Sequence, residues 1–334
     1  MPIILKRKEV LDIYSEAARN RWVLPCFCSE NLTTTEAILA AAKKYGEMCG
    51  EPCLPIIIAI TCQYDHRTQA AYYTHTRRWD IGLKLFLKDI EILTGKGTPY
   101  EKLRVMIHLD HVQYDTDREL LNWDMDGFSS IMFDASRLPF GENMRLTGEF
   151  VKNQGDKIVI EGACDEIVDA TGNEKSELTS SEKAFEYFSK TGADMIVANL
   201  GTEHRASAKD LMYYSDNAKK IKDRIGARIV LHGASSVPAN QISGLFDDGV
   251  CKVNIWTALE RDSTPQLFAD MVANASKVAG KEIAERLKDE GWLGSMCNLA
   301  DKASIDFFTT TYRQGVIFEE MKKMVGSYFE LWYR

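Results

Sequence analysis

Hydrophobic positions along the chain fall into short, nearly continuous runs that alternate with longer amphipathic segments. The runs are rich in Val, Ile and Phe, as is typical of buried strands. Eight of them occur, at residues 22–27, 53–61, 104–110, 128–134, 157–163, 194–201, 227–235 and 250–257. The intervening segments have helical periodicity, and several begin with Ser, Thr or Asp and end at Gly, which is typical of helix caps. The pattern therefore predicts eight strand-helix units.

Strands that alternate with helices predict a parallel sheet, and continuous apolar strands predict burial on both faces. Eight such units favour an α/β fold of the closed (β/α)8 type, the TIM barrel. An open doubly wound sheet is the alternative, but it usually has a glycine-rich turn after its first strand, and residues 25–32 contain no glycine. We expect residues 1–262 to form the barrel. Residues 263–334 are expected to form a helical extension that packs on the barrel or at an oligomer interface.

Composition narrows the classes of function. Of the 334 residues, 45% are hydrophobic and 27% are charged, which is ordinary for a globular protein. The net charge of -8 argues against a nucleic-acid partner. No run of about 18 apolar residues would span a membrane, and the first residues do not resemble a signal peptide. We therefore expect a cytoplasmic protein without a membrane partner, whose eight cysteines are reduced thiols.

Four of the six histidines follow predicted strands. His108 and His111 lie at the end of the third strand, His204 follows the sixth and His232 ends the seventh. Active sites of (β/α)8 barrels lie at the carboxyl ends of the strands, so these imidazoles are expected to converge. Convergence favours a metal site, for which Zn²⁺ is the best match and other divalent transition metals are alternatives.

Asp110 and His111 are neighbours on the third strand, and neighbours point to opposite faces unless the strand has ended or bulged. In one interpretation, His108 and Asp110 share the inward face and hydrogen-bond each other. In the other, His111 binds a metal and Asp110 lies beside it as a proton donor. His108 would then support the site without binding the metal.

Five motifs resemble those of the class II, metal-dependent ketose-bisphosphate aldolases, which include the fructose- and tagatose-bisphosphate enzymes. The motifs are HLDH at 108–111, FSSIMFDASRLPFGEN at 128–143, TGADMIVANLGTEH at 191–204, VLHGASSVP at 230–238 and KVNIWT at 252–257. They occur in the family's order and on the corresponding strands.

This resemblance implies a zinc ion, or another divalent transition metal, held by His111, His204 and His232. It also implies that Asp110 protonates or polarises the aldehyde oxygen. The reaction would be the reversible cleavage of a ketose phosphate into dihydroxyacetone phosphate and an aldehyde through a metal-stabilised enediolate. A homodimer or higher homo-oligomer is the usual family state.

Contacts with the substrate are implied at four further residues, which are Gly233, Ser235, Asn254 and Thr257. By this resemblance, Gly233, Ser235 and Thr257 bind the phosphate, and Asn254 contacts the hydroxyl groups of the substrate. A monovalent cation could also bind near the phosphate. Small residues ahead of a helix supply exposed N–H groups that suit a phosphate. A tight strand-to-helix turn is the alternative interpretation.

Departures from the family pattern affect the metal, the base and the phosphate. Ala163 stands where the family has a metal-proximal glutamate, and Arg205 stands where it has a glycine. An arginine there would grip an anionic group or block the usual phosphate pose. The loop that carries the family's catalytic base offers Asp169, Glu174 and Glu177, of which we choose Glu174. Ordinary fructose 1,6-bisphosphate is therefore not the expected substrate.

Residues 61–79 replace a loop of small residues in the family with one rich in Tyr, His and Arg. They are interpreted either as an extended lead-in to a helix or an oligomer contact, or as a reshaped pocket for the aldehyde half in which Arg77 or Arg78 meets a carboxylate or phosphate. Two further functions stay open. One is the same metal barrel acting on a non-phosphorylated or carboxylated sugar, as an aldolase or epimerase; the other is an inactive aldolase-like binding protein.

Overall fold

The computed structural model describes residues 2–123, 125–167, 177–202 and 212–333. Within them, eight parallel strands close into a barrel in which each strand pairs with the next and the eighth pairs with the first. The strands are β1 Leu24–Cys28, β2 Pro55–Thr61, β3 Arg104–Gln113, β4 Ser130–Asp134, β5 Val159–Ala163, β6 Met195–Val197, β7 Ile229–Leu231 and β8 Val250–Ile255. The predicted TIM barrel is confirmed, and the open-sheet alternative is wrong.

Helices connect the strands and continue beyond the last one. They are α1 Arg7–Arg19, α2 Leu32–Cys49, α3 Gln69–Tyr72, α4 Trp79–Leu93, α5 Arg118–Leu121, α6 Phe140–Gln154, α7 Ser181–Thr191, α8 Ser215–Ile225, α9 Thr257–Ala273, α10 Ala275–Ala279, α11 Lys281–Asp289, α12 Ile305–Phe308 and α13 Thr310–Trp332. The side chain of Asn31 accepts hydrogen bonds from two backbone N–H groups of the first turn of α2, and Gly50 ends that helix in the left-handed conformation. In the described part of the chain, no helix combines the length and apolarity needed to cross a membrane.

The barrel interior contains a buried ion pair. Lys252 on β8 and Glu161 on β5 are both fully buried, and the ammonium nitrogen lies 2.7 and 2.9 Å from the two carboxylate oxygens. Because β5 and β8 are not neighbours in the sheet, this contact crosses the interior. Burial of either charge alone would be costly, so each side chain requires the other.

The C-terminal helix α13 packs on the outside of the barrel. The ring of Phe329 lies edge-on against Phe27 of β1, with 5.6 Å between centroids. The hydroxyl group of Tyr333, just after the helix, donates to the carbonyl oxygen of Pro55 at 2.7 Å. The domain boundary at residue 262 stays a prediction, and α9 runs continuously across it.

Candidate active site

An irregularity in β3 brings two adjacent polar side chains to one pocket. The pairing of β3 with β4 shifts register between Leu109 and Val112. Within this stretch His111 has a φ of 46°, a left-handed value that is uncommon for residues other than glycine. The bulge interrupts the alternation of side chains, and Asp110 and His111 both line the pocket at the carboxyl end of the barrel.

Asp110, His111 and His232 form a cluster of potential metal ligands. All three are buried, and one ligand atom of each lies within 4.8 Å of the others. His111 Nε2 is 3.1 Å from His232 Nδ1. Two nitrogens bound tetrahedrally to one zinc ion, at about 2.0–2.1 Å each, are separated by about 3.3 Å. The donor types and their spacing therefore fit a divalent transition metal.

Asp134, at the end of β4, hydrogen-bonds the second ring nitrogen of His111, Nδ1. Its Oδ2 lies 3.0 Å from His111 Nδ1, which leaves Nε2 directed towards His232. Burial alone would raise the pKa of the Asp134 carboxyl, but hydrogen bonds from His111 and Ser136 outweigh it and hold the pKa below its ordinary value. A carboxylate behind a ligating histidine orients the ring and makes it a better ligand. Tyr64 stacks on the same imidazole, with 4.0 Å between centroids.

The Asp110 carboxylate is held from several directions. Asn254 Nδ2 donates to its Oδ1 at 2.9 Å, and the Cys28 thiol lies 3.6 Å from its Oδ2. Burial would raise the pKa of Asp110, but His111 and other nearby histidines outweigh burial and lower it. His108 Nε2 lies 3.6 Å from Asp110 Oδ1, while its Nδ1 is 2.8 Å from Ser130 Oγ. His108 thus adjoins Asp110 and lies outside the ligand cluster.

The residues expected to contact substrate line the same pocket, and they are Gly233, Ser235, Asn254 and Thr257. Gly233 has a φ of 70°, which glycine adopts without strain, and it leads into a 3-10 turn at Ala234–Ser236. Thr257 opens the 17-residue helix α9, whose first N–H groups lack helical partners. Three other predicted residues, Glu174, His204 and Arg205, lie outside the described residues.

No described acidic residue takes the place that Ala163 leaves. Asp165 accepts from Thr179 Oγ1 at 2.6 Å and pairs with Lys183, whereas Glu166 lies 3.3 Å from Arg137 Nε. Both carboxylates line a small cavity next to His111, but they are paired with other side chains and do not belong to the ligand cluster.

The loop after β2 contributes residues that differ from those expected. Arg77 stacks on a tyrosine ring and Arg78 pairs with Asp80, and neither lines the pocket. The pocket is instead lined by His66 and Arg67 of the same loop. Sequence reasoning missed Arg67 and Asp134, although both come shortly after or at the end of a strand on the catalytic side of a barrel.

Fold and site together define a barrel protein with a candidate metal site at the carboxyl ends of its strands. A sequence profile described as fructose-bisphosphate aldolase class-II matches residues 8–316. The chain therefore belongs to the class-II fructose-bisphosphate aldolase family, whose members are metal-dependent, and it is an aldolase, a carbon-carbon lyase.

Individual relatives agree with this assignment. The chain is 28% identical over 264 residues to the fructose-bisphosphate aldolase of Geobacillus stearothermophilus, covering 76% of this chain and 81% of that protein. The structure resembles fructose-bisphosphate aldolase from Campylobacter jejuni, with a TM-score of 0.72, 20% identity and coverage of 98% of this chain and 94% of that one. It also resembles the YdjI aldolase from Escherichia coli K12, with a TM-score of 0.65, 18% identity and coverage of 96% and 94%. At these identities the two structures support the fold alone.

Proposed function

We propose that the protein is a zinc-dependent aldolase that reversibly cleaves a ketose phosphate into dihydroxyacetone phosphate and an aldehyde. The carrying observation is the bulge at His111, through which His111 Nε2 and His232 Nδ1 lie 3.1 Å apart beside Asp110. With His204 as a third imidazole ligand, the donor set favours zinc. When bound, zinc supplies a Lewis acid that stabilises the negative charge of the enediolate left by carbon-carbon cleavage.

The turn after β7 and the start of α9 would hold the phosphate of the dihydroxyacetone phosphate half. Gly233 and Ser235 offer backbone N–H groups, and Thr257 offers both a hydroxyl and the N-terminal end of a helix. Asn254 Oδ1 is buried and has no hydrogen-bond partner among the described residues, so it is available to accept a substrate hydroxyl. These contacts would orient the ketose with its reacting carbons next to the ligand cluster.

Proton transfer requires two groups in this scheme. In cleavage, Asp110 would take the proton of the C4 hydroxyl, whose oxygen becomes the aldehyde oxygen, and in synthesis it would return that proton; Asn254 and Cys28 keep its carboxylate in a fixed orientation. Glu174 is proposed as the base that takes the C–H proton of dihydroxyacetone phosphate in synthesis and returns it to the carbon of the enediolate in cleavage. The contact of Arg205 with the substrate, a monovalent cation near the phosphate, a cytoplasmic location and assembly into a homo-oligomer also stay predictions.

Metal analysis and isotope exchange test this function together. The purified protein should contain about one zinc per chain and should exchange a C–H proton of dihydroxyacetone phosphate with deuterated solvent, a half-reaction that needs no aldehyde. His111→Ala should lose both properties, and the matched control His75→Ala, in an exposed loop, should keep both. Absence of a bound divalent ion, or exchange that survives His111→Ala, would refute the proposal.

A further inference from the structure

Building on the proposed aldolase function, we infer that the aldehyde end of the substrate is a neutral polyol, which makes the substrate a ketose 1-phosphate and not a bisphosphate. The phosphate contacts proposed above lie after β7 and β8, so the loop after β2 lines the part of the pocket that is left for the aldehyde end. Arg67 of that loop lines the pocket, and the buried Glu30 beside it neutralises the guanidinium. A second phosphate would need an uncompensated positive charge or a second set of free backbone N–H groups at this end.

Arg67 is the single Lys or Arg among the described residues that line the pocket. Its Nε lies 3.1 and 3.0 Å from the two oxygens of Glu30, and its Nη2 also contacts Glu30. Glu30 is 6% exposed and accepts further hydrogen bonds from Trp256 Nε1 at 2.7 Å and Gln69 Nε2 at 3.1 Å. The carboxylate is therefore anchored from three sides, and it cannot move away to free the guanidinium for an anion.

Glu260 adds further negative character beside this pair. Burial, followed by the charge of Glu30, raises the pKa of Glu260 to about 7, so this carboxyl is partly ionised at neutral pH. With Arg67 at +1 and Glu30 at -1, the cluster is neutral to negative. A phosphate dianion entering here would lose its hydration without gaining a net opposite charge.

The same cluster suits hydroxyl groups. Arg67 Nη1 makes no hydrogen bond with the described residues, and its guanidinium is held over the ring of Tyr72, 4.6 Å from the centroid. The charge of Glu30 neutralises the guanidinium, and Trp256 lines the pocket beside Arg67. A hydroxyl can accept from a guanidinium whose charge is already neutralised, whereas a phosphate dianion needs a net positive charge to offset its lost hydration.

Aldehyde preference in the synthetic direction tests the inference. With dihydroxyacetone phosphate as the partner, kcat/KM for D-glyceraldehyde should exceed that for D-glyceraldehyde 3-phosphate and for glyoxylate by about tenfold or more. Equal use of the three aldehydes, preference for either anionic one, or failure to use D-glyceraldehyde would overturn it. Solvent exchange of dihydroxyacetone phosphate separates the two proposals. Exchange combined with an anionic preference refutes only the polyol, whereas absence of exchange refutes the aldolase function on which it rests.

A charge variant sharpens the test. Glu30→Gln preserves the shape of the side chain but leaves Arg67 uncompensated, so the ratio of kcat/KM for the phosphorylated aldehyde to that for the neutral one should rise about tenfold. The control Glu91→Gln removes the same charge from an exposed position near the end of α4 and should leave the ratio unchanged. Arg67→Lys is a second variant, at a more exposed position. It replaces the planar guanidinium by an ammonium group, which should lower kcat/KM for D-glyceraldehyde about tenfold. An unchanged ratio in Glu30→Gln, or an unchanged kcat/KM in Arg67→Lys, would contradict the inference.

Discussion

Replacement of Lys252 by methionine tests whether the barrel depends on its buried ion pair. The ammonium and the Glu161 carboxylate are fully buried and lie 2.7 and 2.9 Å apart at their two contacts. Methionine approximates the volume of lysine but leaves the carboxylate without its counter-charge. Removal of one partner from such a pair costs about 3–5 kcal/mol of unfolding free energy.

This cost translates into a measurable melting shift. A chain of this length has an unfolding entropy of about 0.7 kcal/mol/K, so Lys252→Met should lower the melting temperature by about 4–7 °C.

Thermal melts followed by circular dichroism provide the assay, with two comparisons. The double variant Lys252→Met/Glu161→Gln removes both charges and should recover at least half of the lost melting temperature. The control Lys8→Met, at an exposed position of α1, should have the same melting temperature as the wild-type protein. The reasoning is refuted if Lys252→Met melts within about 1 °C of wild type at pH 8, or if the double variant is no more stable than the single one.

Four further substitutions have defined outcomes. Asp134→Asn should weaken metal affinity about 10- to 100-fold in a chelator competition, because an amide holds His111 less well than a carboxylate does; unchanged affinity would contradict this. The pKa of Glu260 is raised from 4.5 to about 7, so wild-type stability should fall as the pH rises through this interval. The melting temperature of Glu260→Gln should therefore exceed that of wild type at pH 8, and the two melting temperatures should become equal near pH 4.5. A difference in melting temperature that does not change with pH would contradict this prediction. Gly82→Ala should destabilise the fold by about 3 kcal/mol, because the added Cβ would lie 1.8 Å from a backbone oxygen of α3. In Gly326→Ala the added Cβ meets open space in α13, so this substitution should stabilise the fold by about 0.5–1 kcal/mol. Equal melting temperatures for the two alanine variants would contradict the packing argument.

The barrel was predictable because its signals are local. Each predicted apolar run overlaps one observed strand, since burial on both faces of a parallel strand leaves a continuous hydrophobic stretch. The ends of the strands were less predictable. β6 and β7 span only Met195–Val197 and Ile229–Leu231, although their runs extend to residues 201 and 235. The polar residue His232, directly after β7, leaves the sheet and lines the active-site pocket.

The candidate site was predictable in part. His111, His232 and Asp110 stand at strand ends, and their convergence follows from the fold once eight strands close a barrel. Arg67 was not selected, since several cationic residues in the loop after β2 are equivalent in composition. Only the folded loop distinguishes Arg67, which pairs with Glu30, from Arg78, which pairs with Asp80.

The sequence by itself thus determined the barrel, the histidines at the strand ends and, through its motifs, the aldolase family. These features depend on strand periodicity, helix caps and motif residues, all of which are local patterns in the sequence. Tertiary structure decided which side chains meet. The bulge that directs His111 into the pocket depends on pairing with β4, and the contact of Lys252 with Glu161 joins residues 91 positions apart. Such contacts follow from closure of the sheet and from the packing of loops around it. Their free energies belong to pairs of distant residues, and no segment of the chain carries them alone.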